Sequence, residues 1–426
     1  MPDLVAILAE PNRRRLLALL APGEQTVTQL AAQFDVTRSA ISQHLGVLAD
    51  AGLVQVRQDG RFRYYRLDTA GMASLRQALD IFWTHELEQL AAARPRIKGD
   101  NTMVAEKSVL VPLGPDEIFA MLTEPERLRR WQTVTARVDL RAGGDYRWTI
   151  IPGHTAAGTF TEIEPGKRLV FTWGWEGDAD LPPGGTTVTI TLEPAEGGTT
   201  VRLVHDGLSA EQAEGHLEGW NHYLERLVVA GEHGDGGPDA WAAHPDPIDH
   251  LIAAEASLAV CQAVLRGIQP EDGSASTPCT KYTVDELTDH LFGSLKHLSG
   301  VAGADIADGH ATSREARIAD AAQQALEAWR ARGVEGTVTF GSSDAPATLA
   351  AGILSIELLV HAWDFARATG QTVVAGDALS DYVLELARGT IAPGTRDGDR
   401  FAAEVEAGPD AGALDRLAAF TGRTAE

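Results

Sequence analysis

Two polar stretches without hydrophobic periodicity break this sequence: Arg96-Ile97-Lys98-Gly99-Asp100-Asn101, and the Gly- and Pro-rich run GEHGDGGPDAWAAHPD at 231–246. Neither can carry a helix or strand through a core, so one continuous fold is excluded. The periods on either side also differ. Residues 3–50 and 70–94 repeat with a helical period. Between the breaks, Thr187-Val188-Thr189-Ile190-Thr191-Leu192 and Thr200-Val201-Arg202-Leu203-Val204 alternate with the two-residue period of an antiparallel sheet, and 209–229 closes that segment as a helix. Beyond 247 the pattern is nearly all helical. The expectation is a multidomain α+β chain with domains at 1–98, 103–230 and 247–426. This agrees with 426 residues at about 150 per domain.

Charge separates the three stretches. Residues 1–100 sum to +1, residues 101–240 to −11 and residues 241–426 to −14, within a net charge of −24. Only the first stretch can approach phosphate without repulsion. The longest apolar stretches, such as Leu16 to Ala21 and Ile353 to Ala362, contain or abut polar groups and fall short of the roughly 20 residues of a membrane span. No basic segment followed by an apolar one opens the chain. The expectation is a cytoplasmic protein that does not meet a membrane. Two cysteines, Cys261 and Cys279, make neither a disulfide framework nor a cysteine-rich zinc site.

In the first hundred residues Pro11 opens a helix striped by Leu16, Leu17, Leu19 and Leu20. Thr26 caps a short second helix. Thr37 caps a third, whose Ile41, Leu45 and Leu48 face inward while Arg38, Ser39, Ser42 and Gln43 face out, and which ends at Ala51-Gly52. Short polar side chains at a helix start suit the edges of bases in a major groove. The strands Leu53 to Arg57 and Arg61 to Leu67 flank Asp59-Gly60, a tight-turn pair, and Arg57, Arg61 and Arg63 stud this hairpin as contacts for the DNA backbone. The run Ser39-x-x-Ser42-x-His44-Leu45-x-x-Leu48-x-x-Ala51-Gly52-Leu53-Val54, with Arg13-Arg14-Arg15-Leu16 upstream, resembles the ArsR-type winged helix-turn-helix. The resemblance covers about residues 1–92 and implies double-stranded DNA as partner and a homodimer formed through terminal helices, here 3–9 and 71–93. It also sets a limit: metal-sensing members carry a cysteine pair near the recognition helix, and no cysteine precedes Cys261. A winged helix that makes only protein contacts is the alternative.

In the middle stretch Pro115 to Trp131 reads as two helices divided at Pro125, followed by strands containing Tyr146, Trp148, Phe160 and Leu169 to Trp173, and by a long helix with Trp220 and His222. The pieces Pro125-Glu126-x-Leu128-x-x-Trp131 and Glu164-Pro165-Gly166-x-x-Leu169-x-x-x-Trp173 resemble the START-like helix-grip fold, in the family of the heat-shock-protein ATPase activator. That fold implies an apolar pocket between sheet and helix. Trp131, Trp148, Trp173, Trp175 and Trp220 are its candidate lining, for an unknown small hydrophobic ligand, although aromatic rings in a strand-rich segment more often serve as core. No catalytic triad, paired carboxylates or phosphate loop is present here.

In the last stretch Thr283-Val284-Asp285-Glu286 makes a capping box, with His290 two turns on. Glu357 and His361 are four apart and share one helix face, as two ligands of a divalent metal would. His290 is the candidate third ligand. Two histidines, a carboxylate and an open position suit zinc, nickel or iron(II), and zinc is the metal expected. Pro278-Cys279-Thr280-x-x-Thr283-Val284-x-x-Leu287-x-x-His290, His361-Ala362-Trp363-Asp364 and Asp415 to Arg423 resemble the DinB-like four-helix bundle, in the family of mycothiol-dependent maleylpyruvate isomerase, with Tyr282 where a Trp is usual. The resemblance implies the triad His290, Glu357 and His361 and a metal that activates a thiol. Asp364 reads more as packing around Trp363 than as a partner of His361. The whole is expected to be a DNA-binding transcriptional regulator with ligand-sensing and metal-binding effector domains. The alternative is a metal-dependent thiol transferase or isomerase carrying a regulatory DNA-binding head.

Overall fold

The structure, a computed structural model, describes residues 11–72 and 103–424, apart from positions 22, 35, 60–61, 69–70, 280, 308, 310, 342, 392–395, 397–401 and 409. The chain divides into two compact units, 1–100 and 101–426.

In the first unit α1 (Pro11–Leu20), β1 (Gln25–Thr26), α2 (Val27–Ala31) and α3 (Arg38–Asp50) precede a hairpin of β2 (Val54–Asp59) and β3 (Phe62–Leu67), and the three strands form a sheet in the order β1-β3-β2. The local signals act as read. Thr26 forms a reciprocal capping box with Gln29, and the Thr37 hydroxyl accepts from the Ala40 N–H. Gly52 takes φ +74° just past α3, a conformation that a side chain would strain. Leu16, Leu20, Leu30, Ile41, Leu45 and Leu48 close the core. The dimerisation helices expected at 3–9 and 71–93 lie, but for residues 71 and 72, outside the described residues.

The second unit starts with β4 (Met103–Val111), α4 (Pro115–Thr123), α5 (Pro125–Leu128), β5 (Thr135–Val138), β6 (Asp145–Ile151), β7 (His154–Glu164), β8 (Arg168–Trp173), β9 (Thr186–Ala195), β10 (Gly198–Leu208) and α6 (Ala210–His233). The seven strands make one antiparallel sheet in the order β4-β10-β9-β8-β7-β6-β5. Trp220, Tyr223, Leu224 and Leu227 of α6 join the core built on its inner face, each fully buried large apolar side chain contributing about 2–3 kcal/mol. After α7 (Ala240–Ala243) come α8 (His250–Gly267), α9 (Val284–Val301), α10 (Arg314–Arg332), a hairpin of β11 (Thr337–Phe340) and β12 (Ser343–Pro346), α11 (Ala347–Thr369), α12 (Asp377–Thr390) and α13 (Ala413–Phe420). Helices α8 to α11 share one core. By length and composition α11 could cross a membrane, yet most of it is buried inside this bundle.

Beyond 247 the described elements are helical as expected, with one short hairpin at 337–346, where Thr337-Val338-Thr339-Phe340 alternates. One expectation needs correction. The run 231–246 is no loose linker: α6 continues to His233, the Arg226 guanidinium donates to the carbonyls of Gly236, Gly237 and Pro238, and Arg266 pairs with Asp235. The sheet and the bundle meet over polar contacts that the sequence did not announce. Arg129 forks onto Glu315 (Nε–Oε1 2.9 Å, Nη2–Oε2 3.2 Å) with both side chains buried. The Gln262 amide donates to the Val134 carbonyl (2.9 Å), and Arg137 pairs with Glu327.

Candidate functional sites

On α3, Arg38, Ser39, Ser42 and Gln43 are exposed and Ile41, Leu45 and Leu48 are buried, as the helical period requires. Arg38 forms no hydrogen bond or ion pair among the described residues, nor does Arg63. Arg57 differs. It forks onto Glu24 (Nε–Oε2 3.3 Å, Nη2–Oε1 2.8 Å) and lies over the Tyr64 ring, 4.6 Å from its centroid. The pairing of Arg57 with Tyr64 and of Gln58 with Arg63 places Arg57 and Arg63 on opposite faces of the hairpin. Arg61 lies outside the described residues.

The aromatic residues of the sheet domain divide into core and cavity. A cavity of about 360 Å³ opens between sheet and α6, walled by Trp173, Trp175, Trp220 and Tyr223 with His154 and His216. Three of the five candidate tryptophans, Trp173, Trp175 and Trp220, therefore line it. Trp131 and Trp148 do not line it. Trp131 is sealed in the core, its indole N–H donated to the Met121 carbonyl (2.9 Å), and Trp148 is buried against Tyr146 (4.1 Å between centroids) and Phe171. The cavity wall is held by histidines. His205 accepts from the Trp220 N–H at Nδ1 (3.1 Å) and donates from Nε2 to Thr186 (2.8 Å), whose hydroxyl donates to the Trp173 carbonyl. His216 donates from Nδ1 to the Gln212 carbonyl (2.7 Å) and accepts from Trp175 (3.3 Å). Burial, with the neighbouring His216 adding, pushes His205 down to about 3, so its imidazole stays neutral.

In the bundle the structure brings His290 of α9 together with Glu357 and His361 of α11. One donor atom from each lies within 4.8 Å of the others. Glu357 Oε2 stands 3.7 Å from His290 Nε2 and 3.6 Å from His361 Nε2, too far for hydrogen bonds. It is a buried oxygen without a hydrogen-bond partner, and such an atom calls for a ligand or ion. Burial alone would raise the Glu357 carboxyl, but His361, with His290 and Ser294 adding, brings it down to about 2. Donors of this type, converging on an orphaned carboxylate oxygen, fit a divalent metal.

The surroundings orient the donors. His361 donates from Nδ1 to Asp364 Oδ2 (2.9 Å), which leaves Nε2 as the nitrogen that faces Glu357 and would ligate a metal on losing its proton. Arg423 in turn forks onto Asp364 (Nη2–Oδ2 2.9 Å, Nε–Oδ1 3.2 Å). Asp364 is thus an orienting partner, and the reading of it as packing is corrected; the indole of Trp363 instead donates to Asp415 (3.0 Å). The Tyr282 ring stacks on His290 at 4.9 Å. Gly422, at φ +89°, allows the turn that brings Arg423 back; a Cβ there would meet that of Ala402 at 2.7 Å. The role of Arg423 was missed in the sequence, although its motif was not. Cys279 is half-buried and burial raises its thiol, so it is no activated nucleophile.

Three family models match the chain in succession: a helix-turn-helix domain at 8–57, the activator of Hsp90 ATPase homolog 1-like protein at 112–232, and the mycothiol maleylpyruvate isomerase N-terminal domain at 253–366. The chain is 48% identical over 80 residues to the HTH-type transcriptional regulator Rv2034 of Mycobacterium tuberculosis, covering 19% of this chain and 75% of that one. It is 29% identical over 184 residues to an uncharacterized protein of the same species, covering 42% and 99%. Among solved structures it is similar to a possible transcriptional regulator for arsenical resistance (57% identity, 22% of this chain and 100% of that one, TM-score 0.20). A second is an AHSA1-like protein from Rhizobium etli (37% identity, 35% and 89%, TM-score 0.27).

Proposed function

From a chain that belongs to the ArsR-type helix-turn-helix regulators and carries an AHSA1-like and a mycothiol maleylpyruvate isomerase-like domain behind that head, we propose a transcriptional regulator that binds double-stranded DNA as a homodimer and responds through its second unit. The observation that carries this reading is α3: anchored by Ile41, Leu45 and Leu48, it presents Arg38, Ser39, Ser42 and Gln43 to solvent at its N-terminal half. Arg38 and Gln43 have the donor geometry for base edges in the major groove, and Arg63 for the phosphate backbone. Such a protein works in the cytoplasm, where the DNA is. The aromatic cavity takes a small hydrophobic effector and the triad a divalent metal, zinc by its donor set. Each acts by favouring one DNA-affinity state over another. Replacing Arg38 and Gln43 by alanine tests the reading. The variant is expected to retain weak, salt-sensitive binding but to lose its preference for the protein's own upstream DNA over scrambled DNA. A preference left intact contradicts the assignment of α3.

A second reading rests on the triad. His290 is about one-third exposed whereas His361 and Glu357 are largely covered, so the donor set opens to solvent on one side. A metal held there would lower the pKa of a coordinated water or thiol. Asp364 keeps the His361 ring oriented, and Arg423 keeps Asp364 ionised. Such a site would serve a thiol-dependent transferase or isomerase under a DNA-binding head. Turnover of a thiol with an unsaturated acid, lost in His361→Ala, would favour it; a fully metallated protein without turnover favours the sensor.

A further inference from the structure

One side chain at the aromatic cavity has no role so far. Gln132 follows α5, is only 5% exposed, and its backbone N–H bonds to the Leu128 carbonyl. Its side-chain amide makes no hydrogen bond among the described residues, yet it borders the aromatic cavity on one side and the narrow crevice between sheet and bundle on the other. An amide has donors and an acceptor to satisfy, so a ligand that fills the cavity gains from Gln132 only if it supplies a hydrogen bond.

The rest of the cavity restricts that ligand further. No Asp, Glu, Lys or Arg lines it, and burial lowers His216 towards its neutral form, so a carboxylate placed there would meet at most the His154 imidazole. Its walls are rings at mixed angles: Trp173 lies 5.4 Å from Trp175 at 83° and 5.2 Å from Trp220 at 57°. Such walls offer both faces and edges to a flat guest. The volume of about 360 Å³ is at the small end for ligand pockets.

We propose that the cavity binds a flat, uncharged aromatic molecule of roughly two or three fused rings carrying a hydroxyl or carbonyl group, and that the Gln132 amide selects it by hydrogen-bonding that group. This specificity deepens the proposed effector role and rests on it for its regulatory meaning.

The test uses the full-length protein and three probes, each titrated by quenching of tryptophan fluorescence: 2-naphthol, the near-isosteric 2-methylnaphthalene, and dodecanoate. The naphthol is expected to bind about three- to tenfold tighter than its methyl analogue, the worth of one net hydrogen bond, and dodecanoate at least about tenfold weaker than the naphthol. In Gln132→Leu the two naphthalenes should bind within about twofold of each other. The ranking in the unaltered protein needs no variant, so a poorly folded Gln132→Leu would not shield the proposal. Dodecanoate binding as tightly as 2-naphthol, or a hydroxyl preference that survives Gln132→Leu, overturns it. DNA affinity measured in the same samples separates the two claims: naphthol binding in the expected order with unchanged DNA affinity refutes the effector role and leaves the cavity chemistry standing.

Discussion

Removing Glu315 should weaken the second unit more than any exposed charge change, because it strands a buried guanidinium. The Arg129 and Glu315 side chains are 2% and 3% exposed. With Glu315 gone, the ion pair left to Arg129 among the described residues is with Asp320, at 3.3 Å and 59% exposed, with Glu126 acting from further off, and Arg266 loses a carboxylate at 4.0 Å. Breaking one partner of a buried pair costs about 3–5 kcal/mol, a factor of roughly a hundred to a few thousand in the folding equilibrium. With a denaturant slope of about 3 kcal/mol/M in urea, Glu315→Ala should lower the unfolding midpoint of the second unit by about 1 M or more. The pair Arg129→Met with Glu315→Leu removes both charges and fills the space, and replacement of this kind is often neutral or stabilising. Its midpoint should return to near that of the unaltered protein. A single variant that shifts the midpoint by less than about 0.2 M, or a double variant no better than the single, would refute the assignment of this pair as the buried joint between sheet and bundle.

Metal content of the purified protein should fall from one equivalent per chain to near zero in His361→Ala, which removes a donor. In Asp364→Asn the metal should still bind but about 10- to 100-fold more weakly, since only the orientation of His361 is lost; equal affinity for both proteins in a competition with a chelator would contradict the role given to Asp364. Acid should destabilise the sheet domain through His205. Its imidazole titrates near 6.5 in the unfolded chain and is pushed to about 3 when folded, so between these values the unfolded state binds the extra proton and stability falls as pH falls. The full difference corresponds to at most about 5 kcal/mol. His205→Gln should flatten stability against pH in that window, and an unchanged slope would show that other groups set it.

Much of the fold was legible because its signals are local. The Thr26 and Thr37 caps, the Gly52 stop and the alternation in β9 and β10 each act within a few residues, and the structure has all of them. The triad was legible because Glu357 and His361 are one helical turn apart, and the motif around His290 linked the second helix to them. What stayed hidden depends on what a face meets. Strand alternation places Trp148 and Trp173 inward alike, but only the packing of α6 decides that Trp148 is sealed under the sheet core while Trp173 borders a gap. Gln132 has no pattern at all, and its meaning comes from the cavity beside it. Arg129 and Glu315 are 186 residues apart, so no spacing could join them. Asp364 is three residues past His361, a spacing equally compatible with packing and with a hydrogen bond; the guanidinium of Arg423, 59 residues on, completes the arrangement.

The most direct measurement of the central claim is equilibrium binding of the full-length protein to its own upstream DNA against scrambled DNA of equal length, over a salt series. A preference for the upstream DNA is expected to persist as salt rises, while both affinities fall steeply with salt as phosphate contacts release counterions. Equal affinity for the two DNAs at every salt concentration would contradict it, and would leave the His290, Glu357 and His361 site as the place where the protein's function lies.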